Sequence, residues 1–126
     1  MPSRRPSPEQ LHEELAEHTS TQLEARSSML VLLLQDCAYL INTWMQHQGF
    51  WSSENKGEKI ALMHSELSEC LEAIRKGDRG NEAEELADTV IRILDYCGQH
   101  GIPLGAALVN KMQANLARPF RHGKGF

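Results

Sequence analysis

Four acidic side chains near the middle of the chain have the type and spacing that divalent-metal chemistry requires. Glu66 and Glu69 are three residues apart, and so are Glu85 and Asp88. Residues three apart on a helix lie on one face, so each pair directs two carboxylates the same way. If the two helices pack antiparallel, four carboxylates converge. Converging acids repel one another and are costly to desolvate. A hard cation such as Mg²⁺ relieves both costs and keeps coordination positions for phosphate.

Each acidic pair also has a plainer interpretation as part of a solvated helix face. Either pattern alone is common in helices, and only the combination of the two across a short glycine-bounded turn favours a metal site. Arg92 and Asp95 continue the side of the helix that carries Glu85 and Asp88. Part of that face can therefore be an ordinary ion-paired surface.

The end of the chain has the opposite charge. No acidic residue follows Asp95, and four basic side chains do: Lys111, Arg118, Arg121 and Lys124. Lys111 and Asn115 are four apart, hence on one helix face, and Arg118 continues that line. Acids for a metal and bases for phosphate oxygens together suit a metal–polyphosphate ligand. The alternative is a polar helix face followed by a basic tail that has no specific partner.

Two tryptophans are candidates for contact with a nucleobase. Trp44 falls within a long apolar helical segment, and Trp51 follows Gly49 in a loop. An indole ring can stack on a base, which makes both residues candidate substrate-binding side chains. Core packing for Trp44 and loop anchoring for Trp51 are equally good interpretations.

The elements that must position these residues are predicted to be helices, because β-branched residues are sparse and apolar residues recur with helical spacing. Ser7, Pro8 and Gln10 predict a helix start. Thr19 to Thr21 predict a second start, and Asn81 with Glu84 predicts another. The expected helices cover approximately residues 8–18, 22–48, 54–76, 81–99 and 103–117.

The composition is that of one cytoplasmic domain. The chain has 126 residues, a net charge of −4 and 40% hydrophobic residues. Its longest aliphatic run, Met29 to Leu34, is far shorter than the ~18 residues of a membrane span. No apolar region follows Arg4 and Arg5, so no secretory signal is indicated. The three cysteines are widely spaced and odd in number, as expected for buried free thiols in a reducing compartment: Cys37, Cys70 and Cys97.

Taken together, these residues resemble a known family. Glu66-x-x-Glu69, Glu85-x-x-Asp88, Lys111, Asn115 and Arg118-Pro119 are similar to the pattern of the MazG-like all-α nucleotide pyrophosphohydrolases. The resemblance covers roughly residues 29 to 122 and does not extend to the N-terminal 20 residues. It implies an all-α, MazG-like helical bundle of about four to five helices, completed by oligomerisation to a homodimer or homotetramer.

The residues and the resemblance together predict a domain plan. Residues 1–20 would be a flexible N-terminal extension with a short helix, residues 21–118 the MazG-like helical domain, and residues 119–126 a basic C-terminal tail. Residues 1–6, which are rich in proline, serine and arginine, are expected to be disordered.

By the same resemblance, the activity would be Mg²⁺-dependent hydrolysis of a nucleoside triphosphate to the monophosphate and pyrophosphate, which serves nucleotide-pool housecleaning. Mn²⁺ is an alternative metal. Carried over by position, the four acids would hold the metal and form the catalytic set: Glu66, Glu69, Glu85 and Asp88. Lys111, Asn115 and Arg118 would contact phosphates. The preferred base and the carboxylate that orients the attacking water are left open.

Two other classes of function compete with this hypothesis. A non-catalytic helical interaction module would use the acids as a solvated face, and none of its properties would depend on Mg²⁺. A nucleic-acid-binding protein would use the basic C-terminal segment, and its binding would be salt-sensitive and independent of the acids. The second class is less favoured, because Phe120 and Phe126 are the only aromatic residues in that segment.

Overall fold

The computed structural model describes residues 4–123 and is all-helical over that range. Four α-helices follow one another: α1 (Pro8–His47), α2 (Lys56–Arg75), α3 (Arg79–His100) and α4 (Leu104–Leu116). A 3₁₀ turn covers Phe120–Gly123. No strand occurs within residues 4–123, so the predicted all-α class is confirmed.

The first helix is continuous, and the predicted break between residues 18 and 22 is wrong. The hydroxyls that suggested a new helix cap are used differently. Thr21 Oγ1 donates to the carbonyl of Glu17 at 3.0 Å, within the same helix. Ser20 Oγ donates to Gln113 Oε1 on α4 at 2.8 Å. A hydroxyl that bonds back to its own helix leaves the backbone ladder intact, and no glycine or proline interrupts the helix after Pro8.

Helix starts were predicted correctly for α1 and wrongly for α3. At α1, Ser7 and Gln10 exchange the two hydrogen bonds of a capping box, at 2.9 and 3.1 Å. At α3 the cap is Asp78, whose carboxylate accepts from the backbone N–H of Asn81 at 3.1 Å. Asn81 is therefore inside the helix. Gly77 makes the early start possible because it takes a φ of 68°, which glycine adopts without strain.

The described chain divides into two compact units. The terminal unit consists of residues 4–33 and 105–123. Within it, Gly105 lies against the backbone of Val31, where an added Cβ would come within 2.8 Å of the Val31 Cα atom. His12 packs edge-on against Phe120 at 5.8 Å between ring centroids. This unit contains Lys111, Asn115 and Arg118.

The central unit consists of residues 34–104 and contains all four acids. Its buried apolar side chains are small or medium-sized: Ala38, Cys70, Ala73, Leu94 and Cys97. Many larger apolar side chains of the same unit stay exposed: Tyr39, Leu40, Trp44, Phe50, Ile60, Leu67, Leu71, Ile74, Leu86, Val90 and Ile102. A single copy of this unit therefore leaves much of its apolar surface in contact with solvent.

The cysteines are free thiols, as predicted. Cys70 and Cys97 are buried, whereas Cys37 is half-buried. Burial raises the pKa of the Cys97 thiol above its usual value.

One helix of the described range, α1, is long and apolar enough to cross a membrane by length and composition alone. Only 11% of its most apolar stretch is buried. Core helices of soluble proteins and N-terminal signal sequences meet the same criteria. The cytoplasmic location therefore remains a prediction.

The two ends of the chain differ in part from expectation. The predicted extended tail is wrong at residues 120–123, which form the 3₁₀ turn, with Arg121 at a φ of 53°. Residues 124–126 and residues 1–3 lie outside the described range, and so does the part of the predicted N-terminal disorder that falls on residues 1–3.

Candidate metal centre

The four acids are brought together by a helical hairpin. Only residues 76–78 separate α2 from α3, so the two helices run antiparallel and pack along their lengths. As a result, one carboxylate oxygen from each of Glu66, Glu85 and Asp88 lies within 4.8 Å of the other two. The convergence expected from the sequence is therefore present for three of the four predicted ligands.

The fourth acid, Glu69, borders this group. Its side chain is exposed, and its carboxylate lies close enough to Glu66 and Glu85 to affect the pKa of both. Glu69 is outside the three-oxygen set, so its role as a metal ligand stays a prediction.

Glu66 is the buried member, with a relative exposure of 9%. Its Oε1 accepts a hydrogen bond from Arg92 Nε on α3, at 2.7 Å. This bond to the guanidinium holds the pKa of Glu66 below its usual value, although burial acts in the opposite direction. Glu66 is therefore an ionised carboxylate inside the hairpin, ready to accept a cation.

Glu85 has the most unusual environment. Its Oε2 atom is sealed from solvent and accepts no hydrogen bond from any residue between 4 and 123. Burial raises the pKa of Glu85 to about 7, and the neighbouring carboxylates of Glu69 and Glu66 add to the rise. A buried carboxylate oxygen normally has a donor. A proton, a cation or an ordered water can take that place.

The donor set fits a hard divalent cation. All the converging atoms are carboxylate oxygens, which Mg²⁺ and Mn²⁺ prefer over sulfur and imidazole donors. Two oxygens bound to Mg²⁺ at ~2.1 Å lie at most about 4.2 Å apart. The observed limit of 4.8 Å is slightly wider, so modest side-chain rotations would close the site around an ion.

Arg92 and Asp95, which continue the acidic face of α3, do not form an ordinary solvated surface. Arg92 reaches across the hairpin to Glu66. Asp95 is buried, at 8% exposure, and its carboxylate accepts from Trp51 Nε1 at 3.0 and 3.1 Å and from Asn42 Nδ2 at 2.9 Å. The alternative of an ion-paired solvent face is therefore wrong for Asp95, and for Arg92 the ion pair is with a buried partner.

Sequence reasoning missed the polar network around Asp95. Asn42 Nδ2 also donates to Gln99 Oε1 at 3.0 Å, and Gln46 Nε2 donates to the same oxygen at 2.8 Å. The available signal was the register of α3, where Asp88, Arg92, Asp95 and Gln99 follow helical spacing and share one face. For Arg92 and Asp95 the sequence left open an ordinary ion-paired surface, because charged side chains are usually exposed.

The tryptophans occupy different environments. Trp51 is anchored by Asp95, carries the Lys59 ammonium 4.7 Å above its ring centroid, and meets His100 edge-on at 5.6 Å. The loop-anchor interpretation of Trp51 is therefore confirmed. Trp44 is 61% exposed, so its interpretation as a core residue is wrong. Stacking of either ring on a nucleobase stays a prediction.

The predicted phosphate-binding residues belong to the terminal unit. Lys111 and Asn115 are exposed on α4, and Arg118 follows the end of that helix. The backbone carbonyl of Arg118 lies 3.0 Å from His12 Nε2. The role of these three residues in phosphate binding stays a prediction.

Comparisons with known proteins found no match. No protein-family model matches the chain, and neither a curated protein nor a solved structure matches it.

Proposed function

We propose that this chain is a Mg²⁺-dependent nucleoside triphosphate pyrophosphohydrolase of the MazG-like type. The observation that carries the proposal is the convergence of Glu66, Glu85 and Asp88 across the α2–α3 hairpin, with one oxygen from each within 4.8 Å of the others. The buried Glu85 Oε2, which has no donor among residues 4–123, supports it, because a bound cation would supply the missing partner.

The charge balance of the cluster supports a metal over a solvated acidic face. In a solvated face each carboxylate bonds to water and keeps its usual pKa. Here Glu66 is buried and Glu85 has a pKa of about 7. Like charges held this close disfavour ionisation, so the metal-free cluster is strained. A divalent cation with carboxylate ligands removes that strain.

In the proposed reaction, water attacks the α-phosphorus and the bond to the β-phosphate oxygen breaks, which gives the monophosphate and pyrophosphate. A bound cation supplies polarisation of the phosphoryl oxygens and neutralises charge on the leaving pyrophosphate. Glu66, Glu69, Glu85 and Asp88 would hold it, and one of these carboxylates would accept the proton of the attacking water. Lys111, Asn115 and Arg118 would contact the phosphates, and Trp51 or Trp44 would contact the base.

We also infer that the active form is a homodimer or homotetramer. The central unit exposes many large apolar side chains, among them Leu40 at 65% and Leu71 at 48%. Soluble monomers rarely expose large contiguous apolar patches. A second copy would cover such residues, and light scattering at micromolar concentration should give a dimer or tetramer. A monomer under those conditions would contradict this part of the proposal.

The catalytic proposal is tested by product analysis. Canonical and modified nucleoside triphosphates are incubated with Mg²⁺, and pyrophosphate and orthophosphate are measured separately. We expect pyrophosphate from at least one substrate, and none after Glu85→Gln. The control is Glu72→Gln, which removes an exposed acid of α2 that pairs only with Arg75 at 3.6 Å. Absence of pyrophosphate release across the panel, or equal rates for both variants, would refute the proposal.

A further inference from the structure

Arg92 contacts the acidic cluster through the Nε atom of its guanidinium group. Its Nε lies 2.7 Å from Glu66 Oε1, and this is the single ion pair that Arg92 makes within residues 4–123. The partner, Glu66 on α2, is buried, whereas the Arg92 side chain has a relative exposure of 30%. Arg92 is thus held through its Nε atom and remains partly exposed to solvent.

The two terminal nitrogens of Arg92 are the open part. Within the described chain neither makes a hydrogen bond, and neither is a buried atom that lacks a partner. A guanidinium has five N–H donors in a fixed plane. With Nε used by Glu66, four donors remain on the two terminal nitrogens.

We propose that Arg92 is a phosphate-binding residue of the metal centre, which contacts a phosphate oxygen of the metal–polyphosphate ligand through its terminal nitrogens while Nε stays on Glu66. This inference rests on the proposed function, because it requires a metal-bound polyphosphate at the acids. It adds a residue that the sequence pattern did not mark as a phosphate ligand.

Electrostatics require such a residue. A polyphosphate that approaches four carboxylates is repelled unless cations intervene, and one divalent ion does not balance that charge. A positive group on the wall of the site therefore favours binding. Arginine suits this place better than lysine, because its planar fork can bond a carboxylate on one side and a phosphate on another.

Two other cations of the central unit have partners away from the acids. Lys59 donates to the carbonyl of Phe50 and lies over the Trp51 ring. Arg75 pairs with the exposed Glu72. Among described residues of this unit, Arg92 is the cation found in contact with the acids.

The test compares two ligands on the full-length protein by calorimetry. The first is Mg²⁺ alone. The second is a nucleoside triphosphate with a methylene group between the α- and β-phosphorus atoms, in saturating Mg²⁺, which binds without being hydrolysed. The variants are Arg92→Lys and Arg92→Gln, and the matched control is Arg75→Gln, which removes the same charge from an exposed site. Melting curves verify that each variant is folded.

We expect Arg92→Lys to bind Mg²⁺ within about threefold of wild type and the triphosphate analogue about tenfold or more weakly, the range for loss of a charge-assisted hydrogen bond. Arg92→Gln should lose at least as much, and Arg75→Gln should change neither affinity. If both Arg92 variants keep wild-type affinity for the analogue, or lose the affinities for metal and analogue equally, Arg92 is a structural partner of Glu66 and the inference fails. If wild type binds no Mg²⁺, the proposed function fails first.

Discussion

Two carboxylates on α3, one buried and one half-buried, have opposite environments. Asp95, near the end of α3, accepts hydrogen bonds from Trp51 and Asn42 through neutral N–H donors. Glu85, ten residues earlier, has an Oε2 atom with no donor in the described chain and lies beside two further acids. The first carboxylate is satisfied by the protein itself, whereas the second needs something that the protein does not supply.

This difference separates a structural acid from a functional one. A buried charge is tolerated when its lone pairs are bonded, and Asp95 meets that condition while it holds the Trp51 loop against α3. Glu85 does not meet it within the described residues, and binding of a proton or a cation would remove that cost.

The largest effect is expected on activity. Glu85→Gln and Asp88→Asn should each reduce pyrophosphohydrolysis by at least about a hundredfold, since loss of groups that merely support a metal ligand already costs 10–100-fold. Asp95→Asn, which keeps an acceptor oxygen for the Trp51 indole, should retain most activity. The measurement is the initial rate at saturating Mg²⁺. A loss of activity in Asp95→Asn as large as that in Asp88→Asn would contradict the assignment of Asp95 as a structural acid.

The free energy of unfolding should show the opposite order: substitution of Asp95 should lower it more than substitution of Asp88. Asp95→Ala leaves the Trp51 indole N–H without its acceptor, which costs about 1–3 kcal/mol, whereas Asn42 Nδ2 keeps Gln99 Oε1 as a partner. Urea denaturation without metal should therefore show a loss of about 1–3 kcal/mol. Asp88→Ala, on the exposed side of the same helix, should leave the free energy of unfolding unchanged or higher, because it relieves repulsion. A larger loss for Asp88→Ala than for Asp95→Ala would reverse our assignment of roles.

Two glycines of α3 extend the comparison to packing. A Cβ added at Gly98, beside the Asp95 network, would lie 2.6 Å from the Ala38 carbonyl oxygen and 2.8 Å from Asn42 Cβ. Gly98→Ala should therefore destabilise by about 1–3 kcal/mol, as overpacking does. Gly80→Ala, near the acidic end, meets only Asp78 Oδ1 at 3.7 Å. It should be neutral or stabilising by up to about 1 kcal/mol from helix propensity. Equal denaturation midpoints for the two variants would disprove the close approach at Gly98.

The smallest effect concerns pH. The pKa of Glu85 rises from 4.5 to about 7 on folding, so between these values the native chain binds more protons than the unfolded chain. Stability of the metal-free protein should therefore fall as pH rises through that window. Glu66, whose pKa is lowered, acts in the opposite sense and loses its stabilising effect as pH falls below 4.5. Melting temperatures from pH 4.5 to 8 should show the decline in wild type and lack it in Glu85→Gln, and an identical slope in both would reject it.

Much of this architecture could be predicted from the sequence, because it depends on local signals. Helical periodicity, the Ser7–Gln10 capping box and the turn at Gly77 placed the helices, and the spacing of the acids placed three of them on facing sides of one hairpin. Predictions failed where tertiary contacts overrode local ones. The Ser20 hydroxyl bonds to α4 instead of capping a helix, and Asp95 is buried because Trp51 and Asn42 supply its donors. Neither partner can be read from neighbouring positions in the chain.

The central claim is that the acids of the hairpin bind Mg²⁺, and melting curves test it most directly. Wild type, Glu69→Gln and Asp88→Asn are melted with and without Mg²⁺. We expect the metal-free variants to melt at or above the wild-type temperature, since each removes one of several repelling charges. Added Mg²⁺ should raise the wild-type melting temperature by mass action and raise those of the variants much less. Variants that melt lower without metal, together with three curves that Mg²⁺ does not shift, would contradict the metal site.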